Sequence, residues 1–150
     1  MEDLRSYSNT LIQIIGEIVD ENFSKSLPNS VKIYQELVSY EKRCVDSSKL
    51  CIKYREHVPI IVNCLNSGIK LKKNKYLVHR ELECSKLMAV IRTQLILESH
   101  QAMFLYVDNI LLDNMKSIGE IYNTYLLKNN IHKNGDKYFY VILEAENTFG

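Results

Sequence analysis

No charge excess of either sign is present: 19 lysines and arginines meet 18 aspartates and glutamates, leaving +1 over 150 residues. That balance removes any global electrostatic reason to favour nucleic acid. No apolar run reaches the roughly 18 residues of a membrane span, and Met1-Glu-Asp-Leu-Arg5 lacks a signal-peptide pattern. The expectation is a protein that stays inside the cell. Tryptophan is absent, and the ten tyrosines are composition rather than a site. Cys44, Cys51, Cys64 and Cys84 stand 7, 13 and 20 positions apart, which fits neither paired CxxC zinc spacing nor a secreted disulfide scaffold. They read as ordinary thiols, mostly buried. There is no GxSxG, P-loop, GxGxxG or HExxH. The Glu56-His57 pair, His100 and His132 lack a nucleophile at any telling spacing, so no catalytic residue is named and no cofactor is expected.

Helix-breakers are scarce too. Between Gly68 and Gly119 there is neither glycine nor proline, and the spacing predicts one long central helix over about Tyr76–Val107, roughly 45–50 Å long. Cys84, Leu87, Met88, Leu95, Ala102 and Leu105 fall within about 60° of Ile91 on such a helix. Val90, Leu97 and Phe104 form a second row, and Ala89, Ile96, Met103 and Val107 lie towards the back. A helix apolar on so many sides in a short chain calls for a partner. Val90, Leu97, Phe104, Ile96 and Met103 are therefore candidate interface residues.

The rest of the chain is read around that helix. Leu4, Tyr7, Leu11, Ile14, Ile15, Ile18 and Val19 make one stripe of a first helix ending near Phe23. After the loop 24–30, Asn29 or Ser30 caps a second, whose apolar positions are Val31, Ile33, Tyr34, Leu37, Val38 and Tyr40. Asp46 or Ser47 caps a third, with Leu50, Tyr54, Val58, Ile61 and Leu65 on one face and Pro59 kinking or dividing it. Ser117-Ile-Gly-Glu120 has capping-box spacing for a last helix that buries Ile118, Ile121, Tyr122, Tyr125 and Leu126. Asn129–Asp136 is a turn-rich linker. Lys137–Glu144 is aromatic and β-branched and reads as a strand that needs neighbours. The fold class is thus mostly α: a helical bundle over residues 1–130, then over 131–150 a linker and the first strand of an incomplete β module.

Two polar groupings have a functional and a plainer reading. Lys70, Lys72, Lys73 and Lys75 could contact DNA phosphates without sequence specificity. A solvated loop leading into a helix explains them more simply. His79 and Glu83, with Glu81 and Cys84 nearby, have the four-residue spacing of helical metal ligands. Surface polarity at a helix start accounts for the same residues, so no metal is expected.

The order of elements resembles the SLD-five/PSF family of the GINS complex, and its PSF-one subunits in particular. Lys137-Tyr-Phe-Tyr-Val-Ile-Leu-Glu-Ala-Glu-Asn-Thr-Phe-Gly150 is similar to the Lys-x-x-Tyr-Ile-x-Val and aromatic-Gly run opening their β domain. Glu120-Ile-Tyr-Asn-Thr-Tyr125 resembles the Glu-x-aromatic-Asn-x-Tyr of their last helix. Leu27-Pro28 and Pro59 fall where that family has them. The resemblance implies a non-enzymatic, nuclear scaffold subunit of a heterotetramer that supports the replicative helicase in DNA replication. Its partners would be the other GINS subunits and, through the complex, helicase components. Tyr122, Tyr125, Phe139, Tyr140 and Val141 join the interface candidates. The alternative is a viral Bcl-2-like helical protein that holds an amphipathic peptide in a groove.

Overall fold

The stretch predicted as one long helix is a strand, a helix and a second strand. The computed structural model describes residues 12–14, 33–65, 71–95 and 101–147. In chain order the elements are β1 (Ile12–Ile14), α1 (Tyr34–Leu37), α2 (Tyr40–Lys53), β2 (His57–Cys64), β3 (Lys75–His79), α3 (Cys84–Thr93), β4 (Gln101–Val107), β5 (Ile110–Leu111), α4 (Ile118–Lys128) and β6 (Phe139–Asn147). The six strands form one sheet in the order β1-β3-β2-β6-β4-β5. Among the described strands β2 and β6 run parallel, and the other pairings are antiparallel. The fold is mixed α/β, not mostly α.

Layering explains how an all-round apolar stretch is satisfied without one long helix. On one face of the sheet, α3 buries Cys84, Leu87, Val90 and Ile91, and α4 buries Ile118 and Tyr122. They pack on Val58, Ile60 and Val62 of β2, Tyr76 and Val78 of β3, Met103, Leu105 and Val107 of β4, and Phe139, Val141 and Leu143 of β6. The opposite face carries a smaller cluster of Tyr34, Ile61 and Tyr138, with Val38, Leu50 and Tyr140 against it. Strands covered on both sides lose the polar–apolar alternation; His-Val-Pro-Ile-Ile-Val-Asn-Cys in β2 and Lys-Tyr-Leu-Val in β3 are buried almost throughout. Continuous apolar runs of that length read equally as helix or strand.

Local stops and starts follow from side chains. Ser39 caps α2 by accepting the Lys42 N–H, and Ser117 caps α4 by accepting the Glu120 N–H, each at 3.3 Å. The Ser117 cap and the Ile118/Tyr122 face agree with the sequence reading; Asp46 and Ser47 lie inside α2 rather than at its start. Gly119 is required where α4 meets the turn after β3. Its N–H donates to the Arg80 carbonyl at 2.8 Å, and a Cβ there would sit 3.0 Å from that same oxygen. Asp108 and Asn109, with φ of 51° and 65°, form the two-residue turn between β4 and β5.

Two further expectations change. The third helix stops at Lys53, and Pro59 lies within β2. Val62 donates its N–H to Asn74 at 2.8 Å on the β3 side, so by alternation Pro59 faces the β6 side. Pairing with β6 begins only at Ile60, and no ladder bond is lost. The terminal strand is not the first strand of a separate module: β6 lies between β2 and β4. Of the predicted first helix, Ile12–Ile14 is a strand; the remainder lies outside the described residues.

Candidate functional site

Two features of the α1/α2 side form the candidate site: a buried aromatic and charged cluster, and the outer edge of β3. Tyr34 enters the cluster from α1. Its N–H donates to Asn63 Oδ1 at 2.9 Å, and Asn63 Nδ2 donates to Gln35 Oε1 at 3.0 Å, which fixes the short helix to β2. The Tyr34 ring meets Tyr138 edge-on at 5.7 Å. Lys75 Nζ lies 5.1 Å from the Tyr34 ring centre and 5.3 Å from that of Tyr138. Burial lowers the Lys75 pKa and pushes the Tyr34 phenol up to about 12. The two rings offer the ammonium compensation for lost water.

Beside it, Asp136 gathers three donors. Arg43 Nη1 donates to its Oδ2 at 2.8 Å, Tyr140 Oη donates to the same oxygen, and the Tyr138 N–H donates to Oδ1 at 3.1 Å. Arg43 Nε donates to the Val38 carbonyl at 3.1 Å. The Lys137 N–H donates to Ser47 Oγ at 2.9 Å. These bonds tie α2 to the segment entering β6, across some ninety positions of sequence, and keep the aromatic cluster closed.

The β3 edge is covered by β1, which pairs Ile12 with Val78, Gln13 with Leu77 and Ile14 with Tyr76. On the opposite face of the molecule, a cavity of about 290 Å³ opens between α4 and the β4–β5 hairpin, lined by Val107, Ile110, Leu111, Ile121 and Tyr125 among others.

The predicted interface residues divide. Val90, Met103, Tyr122, Phe139 and Val141 are core residues, so the apolar surplus that made them partner candidates is met within the chain. Phe104 and Tyr125 are half-buried, and Tyr140 is held in the Asp136 network. Ile96 and Leu97 lie outside the described residues, as does Lys70. Lys72 is exposed, whereas Lys75 is buried, so these two do not share one basic patch. His79 ends β3 and its Nδ1 accepts the Glu81 N–H at 3.2 Å; Glu83 precedes α3 and Cys84 is buried. Among the described residues no group of three or more metal-binding side chains occurs. Sequence reasoning missed Arg43, Asp136 and the β3 edge. The alternation of Tyr138 and Tyr140 after an aspartate was the available signal.

A cross-strand pair on β2 and β3 has a measurable consequence. His57 and His79 lie opposite each other with ring centres 5.3 Å apart. Burial, and then the neighbouring His79 charge, lower the His57 pKa from 6.5. The unfolded chain then binds the proton more readily, so this contribution to stability is present above about pH 6.5 and is lost as pH falls through the folded value. Melting temperature followed from pH 7.5 to 5 is expected to fall less steeply for His57→Gln than for the parent. Parallel profiles would show that the pair is energetically silent.

The sequence model of the family described as "Autophagy protein Atg8 ubiquitin like" matches residues 42–150. The chain is 34% identical over 113 residues to Autophagy-related protein 8 of Scheffersomyces stipitis, covering 74% of this chain and 76% of that one. It is 29% identical over 119 residues to that of Schizosaccharomyces pombe, covering 78% and 93%. Among solved structures, Trypanosoma brucei ATG8 superposes with a TM-score of 0.65 at 28% identity, over 79% of this chain and 98% of that one. Plasmodium falciparum Atg8, in complex with a Plasmodium falciparum Atg3 peptide, superposes with a TM-score of 0.63 at 19% identity, over 75% and 95%. These matches overturn the GINS reading together with its replication role, its GINS, helicase and DNA partners, and the Bcl-2-like alternative. The nuclear location rests on the GINS resemblance alone. With the Atg8 match spanning α2 to the end of the chain and the sheet of the solved relatives present, the chain belongs to the Atg8 family of ubiquitin-like autophagy proteins.

Proposed function

We propose that the chain is a non-enzymatic docking protein of autophagy, which takes up short extended peptides of other autophagy proteins along the outer edge of β3. The observation that carries this reading is that the edge already receives a strand, β1, by backbone pairing. An edge that accepts one extended segment has the donors and acceptors to accept another. The Plasmodium relative is in complex with an Atg3 peptide, which supports a peptide as the ligand class. Burial pushes the Cys84 thiol up to about 12 and also raises Cys51, so neither of these two is an activated nucleophile.

A synthetic Plasmodium falciparum Atg3 peptide titrated into the isotope-labelled chain is expected to bind with roughly micromolar affinity, the range of small, transient interfaces. Amide shifts should centre on Tyr76–His79. Absence of binding, or shifts confined to the cavity between α4 and the β4–β5 hairpin, would overturn the reading.

A further inference from the structure

We propose that β1 is a built-in competitor: residues Ile12–Ile14 occupy the β3 edge and hold it against peptides from other proteins. This rests on the peptide-docking reading above and adds its regulation. The two edges of the sheet differ. β5 is two residues long, exposed and tied back by a tight turn, too short to template an incoming strand. Behind β1, by contrast, stands five-residue β3, whose Tyr76, Leu77 and Val78 are fully buried. An uncovered edge of that length and apolarity is a site for strand addition.

The register shows which bonds close it. Val62 bonds Asn74, and the antiparallel alternation then directs Tyr76 and Val78 towards β2. The N–H and carbonyl of Leu77 face outward instead, and Gln13 is the residue opposite. The closure therefore centres on the Gln13–Leu77 pair. A three-residue ladder has few bonds, each small in net effect. Among the described strands, β1 pairs with β3 alone. Its hold comes from being part of the same chain, which gives it a high effective concentration. The β-branched Ile12 and Ile14 favour the strand state. Such a cover lowers apparent peptide affinity by the fraction of molecules in which it is open.

Gln13→Pro in the full chain removes the donor that faces Leu77, and Gln13→Ala keeps it. With a fluorescein-labelled Plasmodium falciparum Atg3 peptide as probe, Gln13→Pro is expected to bind roughly tenfold more tightly than the parent. Gln13→Ala should bind as the parent does. In the free proteins the Leu77 amide should exchange faster in Gln13→Pro, while Ile61–Cys64 and Val141–Leu143 stay protected, showing that the fold is kept. Equal affinity for all three, or an equally protected Leu77, overturns self-closure and leaves peptide docking standing. No binding by any of them overturns the docking reading, and self-closure falls with it.

Discussion

Phe139→Ala is expected to lower the unfolding free energy by about 3–5 kcal/mol, the range for emptying an aromatic core site. Phe139 opens β6 opposite Ile60 of β2 and is fully buried. Its ring meets Tyr125 at 5.0 Å and Tyr122 at 5.7 Å, both tilted. Truncation removes the side chain on which α4 rests and leaves two tyrosines with a void they can fill only partly. The aromatic pairs add to the loss beyond buried area. Urea denaturation should show a lower midpoint with little change in slope. Phe104→Ala, at a half-buried position of β4, serves as comparison and should cost clearly less. A loss below about 1 kcal/mol at Phe139 would return β6 to the periphery.

How much of this was legible in the sequence depends on where each constraint comes from. Signals written within one turn of chain survive: the Ser117 cap, the Ile118/Tyr122 face and the strand character of 139–144 all appear in the structure. The stretch 75–107 failed because its information is not local. Tyr76-Leu-Val78 and Met103–Val107 are apolar because a sheet is covered there, and Leu87–Ile91 because a helix does the covering. Joined without an intervening glycine or proline, the three imitate a helix wetted on no side. The sequence does carry a corrective, since the aromatic residues of the stretch stand near its two ends, at Tyr76, Phe104 and Tyr106. The resemblance to another family leaned on Lys137–Gly150, whose aromatic, β-branched pattern suits a central strand of many sheets.

The site was less legible than the fold. Lys75 sits in a lysine-rich loop sequence, and nothing local distinguishes it from Lys72. Its burial follows from Tyr34 and Tyr138, which approach it from 41 and 63 positions away. The β3 edge has no sequence signature at all, because an edge is defined by which strand is not beside it.

Asp136→Ala is expected to cost about 3–5 kcal/mol as well, by a different route. Removing one partner of a buried ion pair leaves the other charge uncompensated, and the side chains of Arg43 and Asp136 are 13% and 8% exposed. Arg43 would keep the Val38 carbonyl and Tyr140 Oη at 3.1 and 3.4 Å, while the buried Tyr138 N–H would lose its side-chain acceptor. The damage should therefore be local as well as global. With the Arg43–Asp136 bond gone and the Ser47–Lys137 bond and the longer Arg43–Tyr140 bond left as ties, α2 should loosen from β6, and amides of Cys44–Leu50 should exchange faster than those of α3 in the same protein. Replacing both partners, Arg43→Met with Asp136→Leu, removes the uncompensated charge and should recover much of the loss. A double-mutant cycle decides the matter. Additive losses in the two single substitutions and the double one would show that Arg43 and Asp136 act separately, and that something other than their pairing closes α2 onto the aromatic cluster.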